Sequence, residues 1–340
     1  MTTNDRGSYA EVNGLEMYYE IHGSDQGGVP LVLLHGGLTT IDISFGKVLP
    51  SLAKSRRVIA VEQQAHGHTA DIARPLDFEQ MADDTAALLR HLGIEDADVF
   101  GYSDGGNVAL GISIRHPDLV RKLMVAGTNF NNDGLYPEFL EFLKHATPDD
   151  MGGLRDAYTR AAPKPDDWPT LVAKVTEQAV EFKGWRPEDI QSIEAPAMVM
   201  IGDADIVRPE HAVELFRLLS RSKLAILPDT DHVTFLERAD WLLSMIGEFL
   251  DASMPENDAA EGDAQSSSDE PESDLPSELA RPAQRALAGA GYSRLEQFTR
   301  VSEAEILRLH GMGPKALDQL RRALAARGKS FADGQGSEEG

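Results

Sequence analysis

The stretch from Ala97 to His116 constrains this chain more than any other. Ala97 to Phe100 is an apolar run that reads as a buried strand, and Asn107 to His116 has the apolar spacing of a helix packed on a sheet. Between them lies Gly101-Tyr102-Ser103-Asp104-Gly105-Gly106. A strand that turns into a helix over so few residues must hold its central serine in a strained backbone conformation. A side chain at Gly101 or Gly105 would then collide with the neighbouring strand or helix. The turn lifts the Ser103 hydroxyl clear of the sheet, at the positive end of a helix where an oxyanion is favoured. The plainer reading is a glycine-rich strand–helix turn that binds nothing.

The rest of the chain supplies the sheet such a turn requires. Residues 8–23 read as a hairpin around Val12-Asn13-Gly14-Leu15. Apolar runs at Val29–Leu34, Val58–Val61, Lys122–Ala126, Ala197–Ile201 and Leu224–Leu227 read as strands. Helical spacing fits Phe78–Leu92, with Asp83 and Asp84 on its polar side, and also Pro209–Leu219 and Phe235–Leu250. The alternation predicts an α/β fold, a mostly parallel, doubly wound sheet covered on both faces. Residues 130–195 interrupt it with helical stretches at Tyr136–His145, Leu154–Ala161 and Leu171–Phe182 and with no convincing strand. Helices inserted over the carboxyl ends of strands make a lid, because ligands bind where those ends open. An ordinary helical excursion is the alternative.

The chain has 340 residues, room for about two domains. It contains no cysteine, which excludes disulfides, thiolate catalysis and cysteine-ligated zinc. The start lacks a basic-then-apolar signal pattern and no apolar run is long enough for a bilayer, so a cytoplasmic protein is expected. The formal net charge of −24 is unevenly spread. Residues 251–275 hold nine acids and no Lys or Arg, with no aromatic residue, a composition that predicts a disordered linker. Residues 276–330 hold ten Lys or Arg against five acids. The expected domains are therefore 1–250, a linker at 251–275, a small helical module at 276–331 and a disordered tail at 332–340.

A serine hydroxyl is a poor nucleophile unless a base lies within hydrogen-bond reach and a third group orients that base. Asp205 follows the strand ending at Ile201, and His232 follows the one ending at Leu227. The order Ser103, Asp205, His232 is the one found with a serine on a strand–helix turn of this kind. His35-Gly36-Gly37 follows the third strand, where a second oxyanion donor is expected. The N–H groups of Gly37 and Asp104 would form the hole. Asp203 is an alternative acid, and Asp229 or Asp231 could orient His232 instead. His66 and His68 could be a metal pair, but two histidines two apart with no carboxylate pattern are more often loop residues; no metal and no cofactor are expected.

On these four ordered matches, the His-Gly-Gly loop, the Gly-Tyr-Ser-Asp-Gly-Gly turn, the Gly-x-x-Asp loop and the late Asp-His, residues 8–250 resemble an α/β-hydrolase of the esterase or lactonase type. The resemblance favours Asp205 over Asp203 by its spacing after the strand. It implies a carboxylic ester hydrolase with an acyl-enzyme intermediate. Glu62-Gln63-Gln64-Ala65-His66-Gly67-His68-Thr69 occupies the loop where the family often has Asp-x-Arg-Gly-x-Gly-x-Ser. Glu62, Gln64, Ala65 and Thr69 depart from that pattern in a loop that is structural in the family. A serine at 103, in place of an aspartate, argues against the dehalogenase and epoxide-hydrolase branches. Asp104 stands where the family often has an uncharged residue. Ser-Asp-Gly-Gly resembles hydrolases of amino-acid esters, which would make Asp104 a substrate-binding carboxylate for a cation. Alternatively Asp104 caps the following helix, its charge complementing the dipole.

Leu309-His310-Gly311-Met312-Gly313-Pro314-Lys315-Ala316-Leu317 has the form of a helix-hairpin-helix turn, with supporting helices at Ala283–Ala290 and Glu303–Leu309. Its glycines expose backbone N–H groups at a helix N-terminus, which suits a phosphate. Residues 279–331 resemble the C-terminal domain of the bacterial RNA polymerase α subunit. Arg281, Gly313 and Lys315 match positions that touch DNA in that family; Arg285 departs from it. The resemblance implies weak nucleic-acid binding through phosphates, against a protein-contact module of the same fold. Two functions compete: a serine esterase acting on a small ester with an appended binding domain, and a nucleic-acid- or polymerase-associated regulator whose hydrolase domain senses a small molecule.

Overall fold

The computed structural model describes residues 7–23, 28–252, 274–276, 279, 283, 286–287, 290, 292–309 and 312–332. The chain divides into two compact units, Met1–Pro255 and Glu256–Gly340.

The first unit carries an eight-stranded sheet: β1 (Gly7–Val12), β2 (Leu15–His22), β3 (Leu31–Leu34), β4 (Val58–Val61), β5 (Ala97–Tyr102), β6 (Val120–Ala126), β7 (Ala197–Ala204) and β8 (Ser222–Asp231). The order across the sheet is β1-β2-β4-β3-β5-β6-β7-β8. β1 with β2 and β2 with β4 pair antiparallel, and every other neighbour is parallel. The hairpin turns through Asn13 (φ 49°) and Gly14 (φ 80°), the left-handed pair that an Asn-Gly turn supplies.

The strands are apolar on both faces because both faces are covered, and their residues sort by parity. Val32, Leu34, Ile59, Val61, Val99, Leu123, Val125 and Val199 face one core. Leu31, Leu33, Val58, Ala60, Phe100, Met124, Ala126 and Met198 face the other. The first core is closed by α3 (Phe78–His91), α4 (Asp104–Arg115) and α9 (Pro209–Leu218). The second is closed by α1 (Ile41–Phe45), α2 (Leu49–Leu52) and α10 (Ala239–Asp251). Between β6 and β7 the chain runs through α5 (Pro137–His145), α6 (Gly152–Ala161), α7 (Trp168–Glu181) and α8 (Pro187–Gln191).

β4 lies on one side of β3 and β5 on the other. The loops leaving β3 and β5 therefore diverge, and a crevice opens beyond Leu34 and Gly101, which are paired across the strands. No helix among the described residues is long and apolar enough to cross a membrane.

Three local expectations change. α4 starts at Asp104, three residues before Asn107, because the helix begins directly at the turn. Asp84 is not on the polar side of α3. It is 1 % exposed, pairs with Arg74 and accepts from the Asn13 amide at 3.0 Å. The expected linker is also structured at both edges. Asp251 closes α10, and Asp274 accepts the Leu295 N–H at 2.6 Å and pairs with Arg327. Residues 253–273 and 333–340 lie outside the described residues.

In the second unit, a 3₁₀ turn at Leu295–Arg300 and helices at Glu303–Leu307 and Pro314–Ala325 surround Leu287, Phe298, Ile306, Leu320 and Leu324. Ser302 and Glu305 form a capping box on the first of these helices.

Lys122 sits on an apolar strand, yet it is 2 % exposed. Its Nζ donates to the carbonyls of Phe249 (2.9 Å), Leu250 (2.9 Å) and Ala252 (2.7 Å) at the end of α10. An ammonium there meets the negative end of the helix and carbonyls that lack helical partners. Lys122→Met keeps the stem and strands those carbonyls. It should cost about 2–4 kcal/mol in urea unfolding. A loss below roughly 0.5 kcal/mol would show that the lysine does not hold α10.

Candidate active site

Ser103 has φ 54° and ψ −122°, outside the regions open to an ordinary residue. The crossing of β5 into α4 imposes it. A Cβ at Gly101 would lie 2.1 Å from the Gly105 carbonyl oxygen, and a Cβ at Gly105 would lie 2.1 Å from that of Leu34. With both positions bare, the start of α4 passes directly against β5 and β3. The Ser103 N–H donates to Ala126 at the end of β6, 2.8 Å away, which anchors the turn.

Asp205 follows β7 and is 3 % exposed. Its Oδ1 accepts from the Val207 N–H at 3.1 Å and from His232 Nδ1 at 2.7 Å. His232 Nε2 lies 3.0 Å from Ser103 Oγ. With Nδ1–H committed to a carboxylate, Nε2 is left as the acceptor for the hydroxyl proton. Two of the three alternative acids are engaged elsewhere: Asp203 accepts from the Thr230 N–H at 3.1 Å, and Asp231 accepts from the Thr234 N–H at 2.7 Å.

Sequence reasoning missed Tyr102. Its ring stacks on His232 with centroids 5.1 Å apart, and its hydroxyl donates to the His232 backbone carbonyl. Burial drives its phenol pKa up, so it stays a donor. The available signal was its place between Gly101 and Ser103 on a strand facing the second core.

Ser103 and His232 open onto a cavity of about 300 Å³, lined also by Gly37, Leu38 and Asp104. Much of its wall comes from the helical insertion, through Phe139, Phe142, Leu143, Leu154, Val175 and Phe182. These residues sit on α5, α6 and α7 or just beyond, and no sequence motif marks them. Asn107, Asn129 and Asn132 add amides, and Asn132 Oδ1 is buried with no hydrogen-bond partner among the described residues. Among the described residues, no lysine or arginine lines the cavity.

Asp104 is the one carboxyl on its wall among the described residues. Gly37 packs against it so closely that a Cβ there would lie 2.2 Å from Asp104 Oδ2. Asp104 is also the first residue of α4, an acid in the first turn of the helix, where negative charge complements the dipole. It thus lies both in the first turn of α4 and on the cavity wall. Burial pushes its pKa up to about 6, with His232 acting in the opposite direction.

His66 and His68 do not converge. His66 bonds to the Leu38 N–H at 3.1 Å, whereas His68 Nδ1 lies 2.8 Å from Glu62 Oε2. Gly313 caps the helix Pro314–Ala325, and Lys315 is exposed. Arg281 and Arg285 lie outside the described residues.

A family model described as alpha/beta hydrolase fold matches residues 29–165. The chain is 29 % identical over 250 residues to the 2-hydroxymuconate semialdehyde hydrolase of Pseudomonas sp. (strain CF600), covering 66 % of this chain and 87 % of that protein. It is 26 % identical over 261 residues to the serine hydrolase BPHL of Homo sapiens, covering 70 % and 84 %. Among solved structures, the enol-lactonase from Burkholderia xenovorans LB400 superposes with a TM-score of 0.58 at 24 % identity, covering 72 % of this chain and 99 % of that one. The first unit has the α/β-hydrolase fold.

The raised pKa of Asp104 makes a statement about stability. A carboxyl whose pKa rises on folding holds its proton more tightly when folded. Its cost is absent below the unfolded value and complete above the folded one, about 6. Asp104→Asn should therefore raise Tm at pH 8 and leave it unchanged at pH 3.5. Equal shifts at both pH values would contradict a desolvated carboxylate.

Proposed function

We propose that this chain is a serine hydrolase that cleaves a small carboxylic ester or lactone through an acyl-enzyme intermediate. The observation that carries the proposal is the chain of hydrogen bonds from Ser103 Oγ through His232 to Asp205, at 3.0 and 2.7 Å, on the floor of an apolar cavity.

In this reading Ser103 Oγ attacks the carbonyl carbon while His232 Nε2 takes the hydroxyl proton. Asp205 holds the Nδ1–H tautomer and stabilises the imidazolium. The Gly37 and Asp104 N–H groups receive the oxyanion, each worth about 3 kcal/mol of barrier. His232 returns its proton to the leaving alcohol. Water, deprotonated by His232, then attacks the acyl-enzyme and releases the acid.

The cavity also bears on substrate. A substrate carrying a carboxylate would face Asp104 and meet no lysine or arginine among the described residues of the wall. A semialdehyde derived from muconate, as in the name of the Pseudomonas relative, is therefore a poor fit here. An apolar ester is a good one, and an ester with a cationic group beside its carbonyl would give the Asp104 carboxylate its missing partner. A pure sensor of small molecules would have no use for a nucleophile, base and orienting acid held at bonding distance.

For the second unit we propose weak contact with nucleic-acid phosphates at the N-terminus of the helix Pro314–Ala325, where Gly313 and Lys315 sit. Arg321, Arg322, Arg327 and Lys329 are consumed in ion pairs within the unit. Arg300, Arg308 and Lys315 are exposed and make no ion pair among the described residues. In a low-salt gel shift, the full chain should retard duplex DNA and Lys315→Ala should weaken it. Equal mobility of both proteins would favour a protein-contact module.

The esterase test uses a p-nitrophenyl ester and its α-amino analogue. Ser103→Ala should lose at least about 10⁴-fold in kcat while keeping its unfolding midpoint. Asp104→Asn should raise KM for the α-amino ester alone. Normal turnover by the alanine variant would end the serine reading, and equal KM changes for both esters would end the cation reading.

A further inference from the structure

We propose that His35 and His66 are positioning residues that together fix the direction of the Gly37 N–H toward the cavity. The proposal rests on the ester-hydrolase reading above and assigns a task to a loop that the reading leaves structural.

The geometry begins with one peptide plane. In a trans peptide the C=O of Gly36 and the N–H of Gly37 point in opposite directions. The Gly36 carbonyl is pinned on three sides: by His35 Nδ1 at 2.8 Å, the Thr39 hydroxyl at 2.7 Å and the Thr39 N–H at 3.3 Å. That leaves the Gly37 N–H aimed away from those groups. The next peptide is held as well, because the Leu38 N–H donates to His66 Nε2 at 3.1 Å.

The two imidazoles bridge the same pair of loops from opposite sides. His35, in the loop after β3, accepts the Gln63 N–H at 3.1 Å. His66, in the loop after β4, accepts the Leu38 N–H and gives its Nδ1–H to the Gln64 carbonyl at 2.9 Å. Each ring thus uses one nitrogen as donor and one as acceptor, which only an uncharged imidazole can do. Both are fully buried, which pushes each pKa down to about 4. Their centroids are 4.9 Å apart.

Backbone strain is concentrated at the same place. Five non-glycine residues among those described have positive φ. Three of them, Leu38 (59°), Ala65 (67°) and Ser103 (54°), follow β3, β4 and β5 in turn. Such strain persists only where surrounding contacts over-determine it. The strained loop also touches the proposed nucleophile: a Cβ at Gly36 would lie 3.1 Å from Ser103 Cβ.

The test compares wild type, His66→Ala and His66→Gln on a p-nitrophenyl ester, with phenylboronic acid as a tetrahedral inhibitor. Each protein is assayed well below its own unfolding midpoint. His66→Ala should lose about 10–100-fold in kcat, less than deletion of an oxyanion donor costs, because the N–H is misaimed but present. KM should stay within about threefold, and boronate Ki should rise in step with the kcat loss. His66→Gln, which still offers an acceptor and a donor, should recover most of the loss. Amide exchange of Leu38 should accelerate in the alanine variant alone. Wild-type kcat in His66→Ala, or a glutamine variant as impaired as the alanine one, would overturn the proposal. If wild type itself cleaves no ester, the hydrolase reading fails instead. The positioning role of His66 is then judged on Leu38 exchange, and an unchanged rate in His66→Ala would overturn it too.

Discussion

Everything in the first unit is arranged around a point where three backbones nearly touch. α4 starts against the carbonyls of Leu34 and His35, and only the bare Cα of Gly105 lets it approach. That contact forces Ser103 into its strained conformation and turns the hydroxyl upward. It also brings the loop after β3 beside the serine, so the N–H groups of Gly37 and Asp104 come from two strands that are neighbours in space. A single methyl group at residue 105 would push α4 away and disperse the arrangement.

The sheet exists to hold that contact still. Alternate residues of each central strand feed two separate cores, so the strand ends cannot slip without exposing an entire face. The final helix is tied to the sheet by the buried Lys122 ammonium, more than a hundred residues away in sequence. His232 belongs to the segment just before that helix, and Tyr102 stacks on its ring from β5. The His232 ring is therefore placed by packing on the second core, and oriented by Asp205 just after β7.

The architecture was legible because it rests on local patterns. Continuous apolar runs, an Asn-Gly hairpin and a glycine-flanked serine each report a backbone requirement at their own position. The placement of Asp205 and His232 after strands was legible in the same way, whereas their distances to each other and to Ser103 were not. What the sequence concealed depends on partners far along the chain. Asp84 reads as a surface acid until Arg74 and Asn13 are brought to it. Lys122 reads as a strand residue until α10 presents its carbonyls. The cavity wall is drawn from an insertion whose helices carry ordinary amphipathic spacing, so nothing in it announces a pocket. Asp104 was ambiguous between helix terminus and pocket wall, and it occupies both places: the first turn of α4 and the cavity lining beside Gly37.

The central claim is that His232, oriented by Asp205, makes one hydroxyl among many reactive. The most direct measurement is labelling by a fluorophosphonate followed by mass mapping of the adduct, in wild type and in His232→Ala. The account predicts a single adduct on Ser103 in the wild-type protein, formed at least about a hundredfold more slowly in the variant. An adduct elsewhere, or labelling of Ser103 at equal rates with and without the imidazole, would contradict it.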